Sequence, residues 1–238
     1  MKKNLILLFL LIYSVKSFAY IKEIDELYNS FYMNSGDESV ESQVQGLRDK
    51  QLDKLQKQII TNVTVVMEVR ASTESKRKIY KYLKDNVANN DPLLSEKDPD
   101  YLASLADLMT AFVNYATLNE LMEYSNKIID LYDKALAINP NHFPSLLGKA
   151  IYVSFMPKFY GGGYDKSMPI FKKAEANAKE DWEKHTTYLW MSQIYFVEKD
   201  EANYKKYFDM AYNIFPDAAF VNFVKEENAK GVSLFEHY

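Results

Sequence analysis

The sequence predicts an all-α fold: an array of about three helical hairpins, with extra helices before it and a capping helix after it. The first observation is a recurrence. Tyr132-x-x-Ala135-x-x-x-x-Pro140 returns as Phe208-x-x-Ala211-x-x-x-x-Pro216, and in each copy a small residue, Ala116 or Ser192, stands 19 positions before the alanine. A helix–turn–helix unit explains that spacing. The small residue on the first helix lets the second approach, an aromatic and an alanine fill the gap, and proline stops the second helix because it lacks an amide donor. The second observation is apolar spacing of three and four residues through most of the chain.

A third copy lies between these two. His142-Phe143-Pro144-Ser145-Leu146-Leu147-Gly148-Lys149-Ala150 follows Pro140 as a first helix, with Ala150 at the small position, and Phe171-Lys172-Lys173-Ala174 supplies the packing pair. The distance from small residue to alanine is 24 here, so five residues have been added, in the turn Pro157-Lys158-Phe159-Tyr160-Gly161-Gly162-Gly163-Tyr164. Units are therefore expected to start at Met109, Phe143 and His185, and about three stacked units suffice to bury a continuous core.

Each element follows in order. Residues 1–19 read as a secretory leader, with Lys2 and Lys3 as the basic start, Leu5 to Ile12 as the apolar stretch and Ser17-Phe18-Ala19 as the small-x-small cleavage site. That stretch is shorter than the roughly 20 residues that span a bilayer, and Lys16 interrupts it, which favours cleavage near Ala19 over a retained anchor. Ile21, Ile24, Leu27, Tyr28 and Phe31 predict a helix over 20–34 that breaks near Gly36, and Val44, Leu47, Leu52, Leu55 and Ile59 predict another over 39–60. Val63-Thr64-Val65-Val66-Met67 is β-branched and fits a short strand, but within an otherwise helical chain buried helix is preferred. Ile79, Tyr80, Leu83 and Val87 define the next helix. Asp98-Pro99 is an N-cap and first-turn pair, opening a helix through Leu102, Leu105, Leu108, Phe112 and Tyr115. Asp217 then caps a last helix carrying Phe220, Val221, Phe223 and Val224, suited to covering the apolar end of an array. Residues 20–238 are thus expected to be one all-α domain: N-terminal helices over 20–98, repeats over 99–217, and a capping helix over 218–238.

The repeated motif resembles the tetratricopeptide-repeat superfamily over residues 99–217. Pro157 to Gly163 followed by Ser167, Phe171 and Ala174 is similar to a narrower group, the periplasmic T components of tripartite ATP-independent (TRAP) transporters. The superfamily resemblance implies an arc whose inner surface is lined by first helices. Its inward positions would be Thr110, Val113, Thr117 and Glu120, then Pro144, Leu147, Ile151 and Ser154, then Thr186, Leu189, Gln193 and Phe196. The narrower resemblance implies an accessory role in solute uptake, with a solute-binding receptor as partner.

Composition excludes several classes. The chain has no cysteine, so disulfides, thiolate metal sites and a cysteine nucleophile are out. The leader carries three lysines and no acid, so the net charge of −4 becomes −7 once it is removed. Such a surface argues against nucleic acid and anionic membranes, which are bound through clustered Lys and Arg; Lys76-Arg77-Lys78 is too short a run to change that. The three histidines, His142, His185 and His237, have no metal-ligand spacing, and no nucleotide-binding or nucleophile-elbow motif is present. No enzyme, metal or cofactor is therefore expected. Asn62-Val63-Thr64 matches a glycosylation sequon.

Two readings remain for Gly161-Gly162-Gly163. It is either an anion-binding nest of free backbone amides or a widened turn that lets Phe159 and Tyr160 fold back on the array, and the turn is preferred. The inner wall, dominated by Val113, Leu147, Ile151, Leu189 and Phe196 with Gln193 among them, is either filled by the N-terminal helices or open to an apolar partner. If it is filled, Phe159, Tyr160 and the convex surface become the candidate contacts. The function expected is a soluble periplasmic or secreted protein-interaction scaffold; the alternative is a carrier enclosing a small hydrophobic ligand. Self-association is left open.

Overall fold

The computed structural model describes residues 21–34, 44–47 and 52–237. The leader over 1–19 and the break near Gly36 lie outside the described residues. The helices are α1 (Ile21–Asn34), α2 (Lys54–Ala71), α3 (Lys76–Ala88), α4 (Pro99–Val113), α5 (Leu118–Ile138), α6 (Phe143–Phe155), α7 (Tyr164–Asn177), α8 (Asp181–Val197), α9 (Glu201–Ile214) and α10 (Ala219–Ala229). Short 3-10 turns occupy Asp91–Leu93, Lys158–Tyr160 and Leu234–His237, and the described residues contain no strand.

The hairpins α4/α5, α6/α7 and α8/α9 stack side by side, and α2 and α3 pack against α4 ahead of them. Two contacts fix the stacking direction. Asp100 at the start of α4 meets His142 at the start of α6 at 2.9 Å, and the Phe143 ring at the start of α6 lies 5.5 Å from that of Trp182 at the start of α8. The first helices α4, α6 and α8 therefore run parallel in one row, beginning at one edge of the array and ending at the other.

The packing pairs sit where the motif requires. Tyr132 with Ala135, Phe171 with Ala174 and Phe208 with Ala211 are all buried, as are Ala150 and Ser192. Full burial of side chains like these three rings contributes roughly 1.5–3 kcal/mol each. The core forms two clusters that meet at α6: Tyr152 belongs to the first, while Phe143, Leu146, Leu147 and Ala150 belong to the second.

The first unit departs from the expected register. It was expected to begin at Met109 with Ala116 as its small helical residue. Instead α4 ends at Val113, Ala116 lies in the turn, and Thr117 opens α5 through a capping box with Glu120. Thr117 and Glu120 are thus cap residues and do not face an inner wall. A Thr-x-x-Glu box supplies partners for the orphan amides of a helix start, so the chain restarts there. Close approach between the first two hairpins depends on Gly148, where a Cβ would fall 2.6 Å from Tyr132 Oη and 2.8 Å from Asp107 Oδ1.

The helix expected over 39–60 is also divided. Residues 44–47 are helical, but Asp53 starts a new helix, accepting from the Gln56 amide at 2.8 Å while Gln56 accepts from the Asp53 amide at 3.2 Å. Helix α2 then runs through Val63 to Met67, whose side chains are buried; tertiary burial overrides their weak helix preference. Asn62 is fully buried and exchanges two amide hydrogen bonds of 3.1 Å with Asn90. The same Asn62 donates to Ser104 at 3.2 Å, which excludes the sequon as a glycan acceptor in the folded chain.

Candidate functional site

Spacings of three and four residues place Phe143, Leu147, Ile151 and Ser154 on one face of α6, and Trp182, Thr186, Leu189, Gln193 and Phe196 on one face of α8. Part of this wall is roofed. Leu189 is 1% exposed and Gln193 0%; Leu147 is buried, and Val113, Ile151 and Phe196 are half-buried. Leu189 and Gln193, expected to meet a partner, belong to the core. Phe196 packs edge-on to Tyr204 at 5.1 Å.

The roof has two parts. Helix α1 covers the start of α8: Tyr28 stacks on Trp182 at 4.3 Å, Trp182 Nε1–H donates to Asp25 at 2.9 Å, and the Trp182 backbone amide donates to Asn29 at 3.1 Å. Leu27 is buried in the first cluster, and Tyr28 and Phe31 pack against both clusters, so α1 bridges them. The C-terminal segment covers the rest of α8. Gln193 donates to Asn228 at 2.8 Å and accepts from it at 3.0 Å, and Gln193 Oε1 also accepts from the Leu234 amide at 2.9 Å. Phe235 meets Phe155, Tyr164 and Trp190 at ring distances of 5.1, 4.9 and 5.6 Å. Filling by N-terminal residues is thus half of the arrangement, and the chain's end supplies the other half. Two clefts among the described residues lie away from the wall: one of about 280 Å³ beside Val69, Ile79 and Tyr82, the other of about 180 Å³ beside Leu47, Leu52 and Ile60.

The inserted turn between α6 and α7 is the exposed feature of this region. Phe159 and Tyr160 are 81% and 70% exposed, and their rings lie 4.4 Å apart. They rest on each other and do not fold back on the array. Beneath them the backbone is fixed: the amides of Gly161, Gly162 and Gly163 donate to Lys158, Pro157 and Val153 carbonyls at 3.0, 3.2 and 2.9 Å. With all three amides engaged, no anion nest forms. Gly161 and Gly163 have φ of 87° and 101°, which glycine adopts without a Cβ clash.

Asp100, His142 and Ser145 form a hydrogen-bonded line that sequence reading missed, because Asp100 lies 42 residues from His142. His142 Nδ1 lies 2.8 Å from Ser145 Oγ and Nε2 lies 2.9 Å from Asp100. The residue types are those of a nucleophilic relay, but a relay needs its hydroxyl within reach of a substrate carbonyl. Ser145 is fully buried, so the line acts as a clamp between α4 and α6. His185 is also buried; Nδ1–H donates to the Ala211 carbonyl at 2.9 Å and desolvation lowers its pKa, keeping the ring neutral. Burial pushes the carboxyls of Asp25 and Asp107 up to about 6 each, against the pull of hydrogen bonds from Trp182 and Tyr132.

Among the described residues, no group of three or more His, Asp or Glu could hold a metal ion, and no helix is long and apolar enough to cross a membrane. The chain matches no protein-family model and no curated protein.

Proposed function

We propose that this chain is a non-enzymatic interaction scaffold acting outside the cytoplasm, with Phe159 and Tyr160 as its docking element. The observation that carries this reading is their exposure on a turn in which the amides of Tyr160, Gly161, Gly162 and Gly163 are all engaged. Two rings held in place lose little freedom on binding, and preorganised aromatic anchors dominate protein interfaces. An extracytoplasmic location rests on the leader over residues 1–19. The resemblance to tetratricopeptide-repeat proteins, and to TRAP T components in the Pro157–Gly163 turn, points to an accessory role in solute uptake with a solute-binding receptor as partner. A carrier role is less favoured, because the wall that would hold the ligand is packed against Tyr28 and Phe235.

The test compares the exported chain with a Phe159→Ala, Tyr160→Ala double variant in capture from a periplasmic extract. The expected outcome is loss of a partner retained by the wild type, with the melting temperature unchanged, since exposed side chains contribute within about 0.5 kcal/mol. Capture of an identical set of proteins by both would refute the assignment.

A further inference from the structure

A cluster of phenols and ammonium groups lies where α7, α8 and α9 meet, and it shares no residue with the wall or the aromatic turn. Tyr188 and Tyr195 are seven residues apart, which puts them on one face of α8, turned away from the face of Leu189 and Gln193. Tyr207 of α9 completes the set. Its ring stacks on that of Tyr195 at 5.5 Å and lies 6.1 Å from that of Tyr188. Lys172 of α7 reaches over the Tyr207 ring, with Nζ 4.5 Å from the centroid. It donates to the Tyr207 hydroxyl and, at 3.0 Å, to Glu175. Lys206 approaches the same ring at 5.1 Å.

Donors outnumber acceptors here. A phenol hydroxyl both accepts and donates. Tyr207 is 3% exposed; its oxygen accepts from Lys172, and its hydrogen meets no acceptor among the described residues. The hydroxyls of Tyr188 and Tyr195 make no hydrogen bond among those residues either. Burial raises the pKa of both, so they stay donors, and both lie within the field of Lys172. Of the neighbouring acids, Asp200 is engaged by Asn203 at 2.7 Å and Asp209 by Lys205 at 2.8 Å. Glu175 shares Lys172, while Lys206 makes no ion pair among the described residues. Two ammonium groups against one carboxylate leave one positive charge, on a chain that is acidic as a whole. We propose that this cluster binds the phosphate or sulfate group of a small solute, held by Lys172 and the hydroxyls of Tyr188, Tyr195 and Tyr207, with Lys206 adding charge. Hydrogen bonds to an ionised group are the strong ones. Donors arriving from three helices suit a group with three outward oxygens, whereas a planar carboxylate offers two. The anion also supplies the acceptor that the buried Tyr207 hydrogen lacks, and an unmet buried donor is costly.

The experiment titrates the exported chain by calorimetry with sodium phosphate, sodium sulfate, glycerol phosphate and sodium acetate in turn, at constant ionic strength so that general screening does not change. Saturable one-to-one binding of phosphate or sulfate is expected, with acetate at least about tenfold weaker. Tighter binding of glycerol phosphate than of the inorganic ions assigns the site to a phosphorylated solute, and the reverse order assigns it to the free ion. Tyr207→Phe keeps the ring and removes only the hydroxyl; Lys172→Met keeps the stem and removes the charge. Each should weaken phosphate binding at least about tenfold. Lys173→Met, which changes the net charge equally from outside the cluster, should leave it unchanged. Should Tyr207→Phe fail to fold, the double variant Tyr188→Phe, Tyr195→Phe gives the same reading, since it alters only half-buried hydroxyls. Three results would overturn the proposal: no saturation by phosphate, sulfate or glycerol phosphate at millimolar concentrations, equal effects of Lys172→Met and Lys173→Met, or acetate binding as tightly as phosphate.

Discussion

Replacing Gly162 with alanine would place a methyl group 2.2 Å from both the Cβ and the carbonyl oxygen of Met156. Carbon atoms in contact ordinarily sit about 3.5–4.0 Å apart, so the overlap exceeds 1 Å. The obstructing atoms are backbone and Cβ, which cannot rotate away. The turn must shift, stretching the bonds from Gly162 to Pro157 (3.2 Å) and from Gly163 to Val153 (2.9 Å), each with a net value near 1 kcal/mol. Overpacking of this kind costs about 1–3 kcal/mol, so a total of about 3 kcal/mol is expected, the reverse of the small gain that an unstrained Gly→Ala brings. For a chain of this size that corresponds to a fall of roughly 6–12 °C in melting temperature. Gly161→Ala is the control: φ is 87° and nothing lies within 4 Å of the added methyl, leaving only the left-handed backbone cost of about 1–2 kcal/mol. Melting followed by circular dichroism should therefore rank wild type above Gly161→Ala above Gly162→Ala. If Gly162→Ala melts with or above Gly161→Ala, the turn does not press on Met156, and the rigidity assigned to the Phe159–Tyr160 platform is wrong.

Ala211→Leu should cost about 1–3 kcal/mol in urea unfolding, because Ala211 is fully buried and its carbonyl accepts from His185. Asn62→Ala should cost about 1–3 kcal/mol by stranding Asn90, and limited proteolysis should then cut first within α2 and α3. Asp107 gives a pH test. Its folded pKa, about 6, lies above the ordinary aspartate value, so its contribution to stability is greatest below about pH 4 and is lost as pH rises through 6. Subtracting the melting-temperature profile of Asp107→Asn from that of the wild type should leave a curve that falls between pH 4 and 6. The difference is the quantity to read, since His185, with its pKa lowered, works in the opposite direction in part of that range; a flat difference would refute the burial argument.

The hairpins were legible because their determinants are local. An aromatic three residues before an alanine states a packing surface, and that pair is buried in all three units; a proline five residues further on, Pro140 or Pro216, states the stop in the first and third. The register of the first unit was misread because two signals competed at one place. The 19-residue spacing made Ala116 helical, while Thr117 and Glu120 close a capping box, and satisfying orphan amides at a helix start outweighs one small residue's preference. The roof over α8 left no local trace: Asp25 and Trp182 are 157 residues apart and Gln193 and Leu234 are 41 apart. Exposure of Phe159 and Tyr160 was equally hidden. Sequence marks the added residues and the glycines, but whether the rings turn inward depends on amide pairings that only the folded turn displays.

The chain's two tryptophans are divided between the halves of the roof, Trp182 beneath Tyr28 and Trp190 beside Phe155 and Phe235. Each half therefore carries its own native optical reporter, and no dye has to be attached to watch either one. Trp190→Phe leaves an emission that follows the seating of α1, quenched or blue-shifted as Tyr28 and Asp25 close over the indole. The reciprocal Trp182→Phe isolates the tail. Rapid-mixing fluorescence on the two proteins would time both closures during refolding and show whether the beginning of the chain or its end settles first.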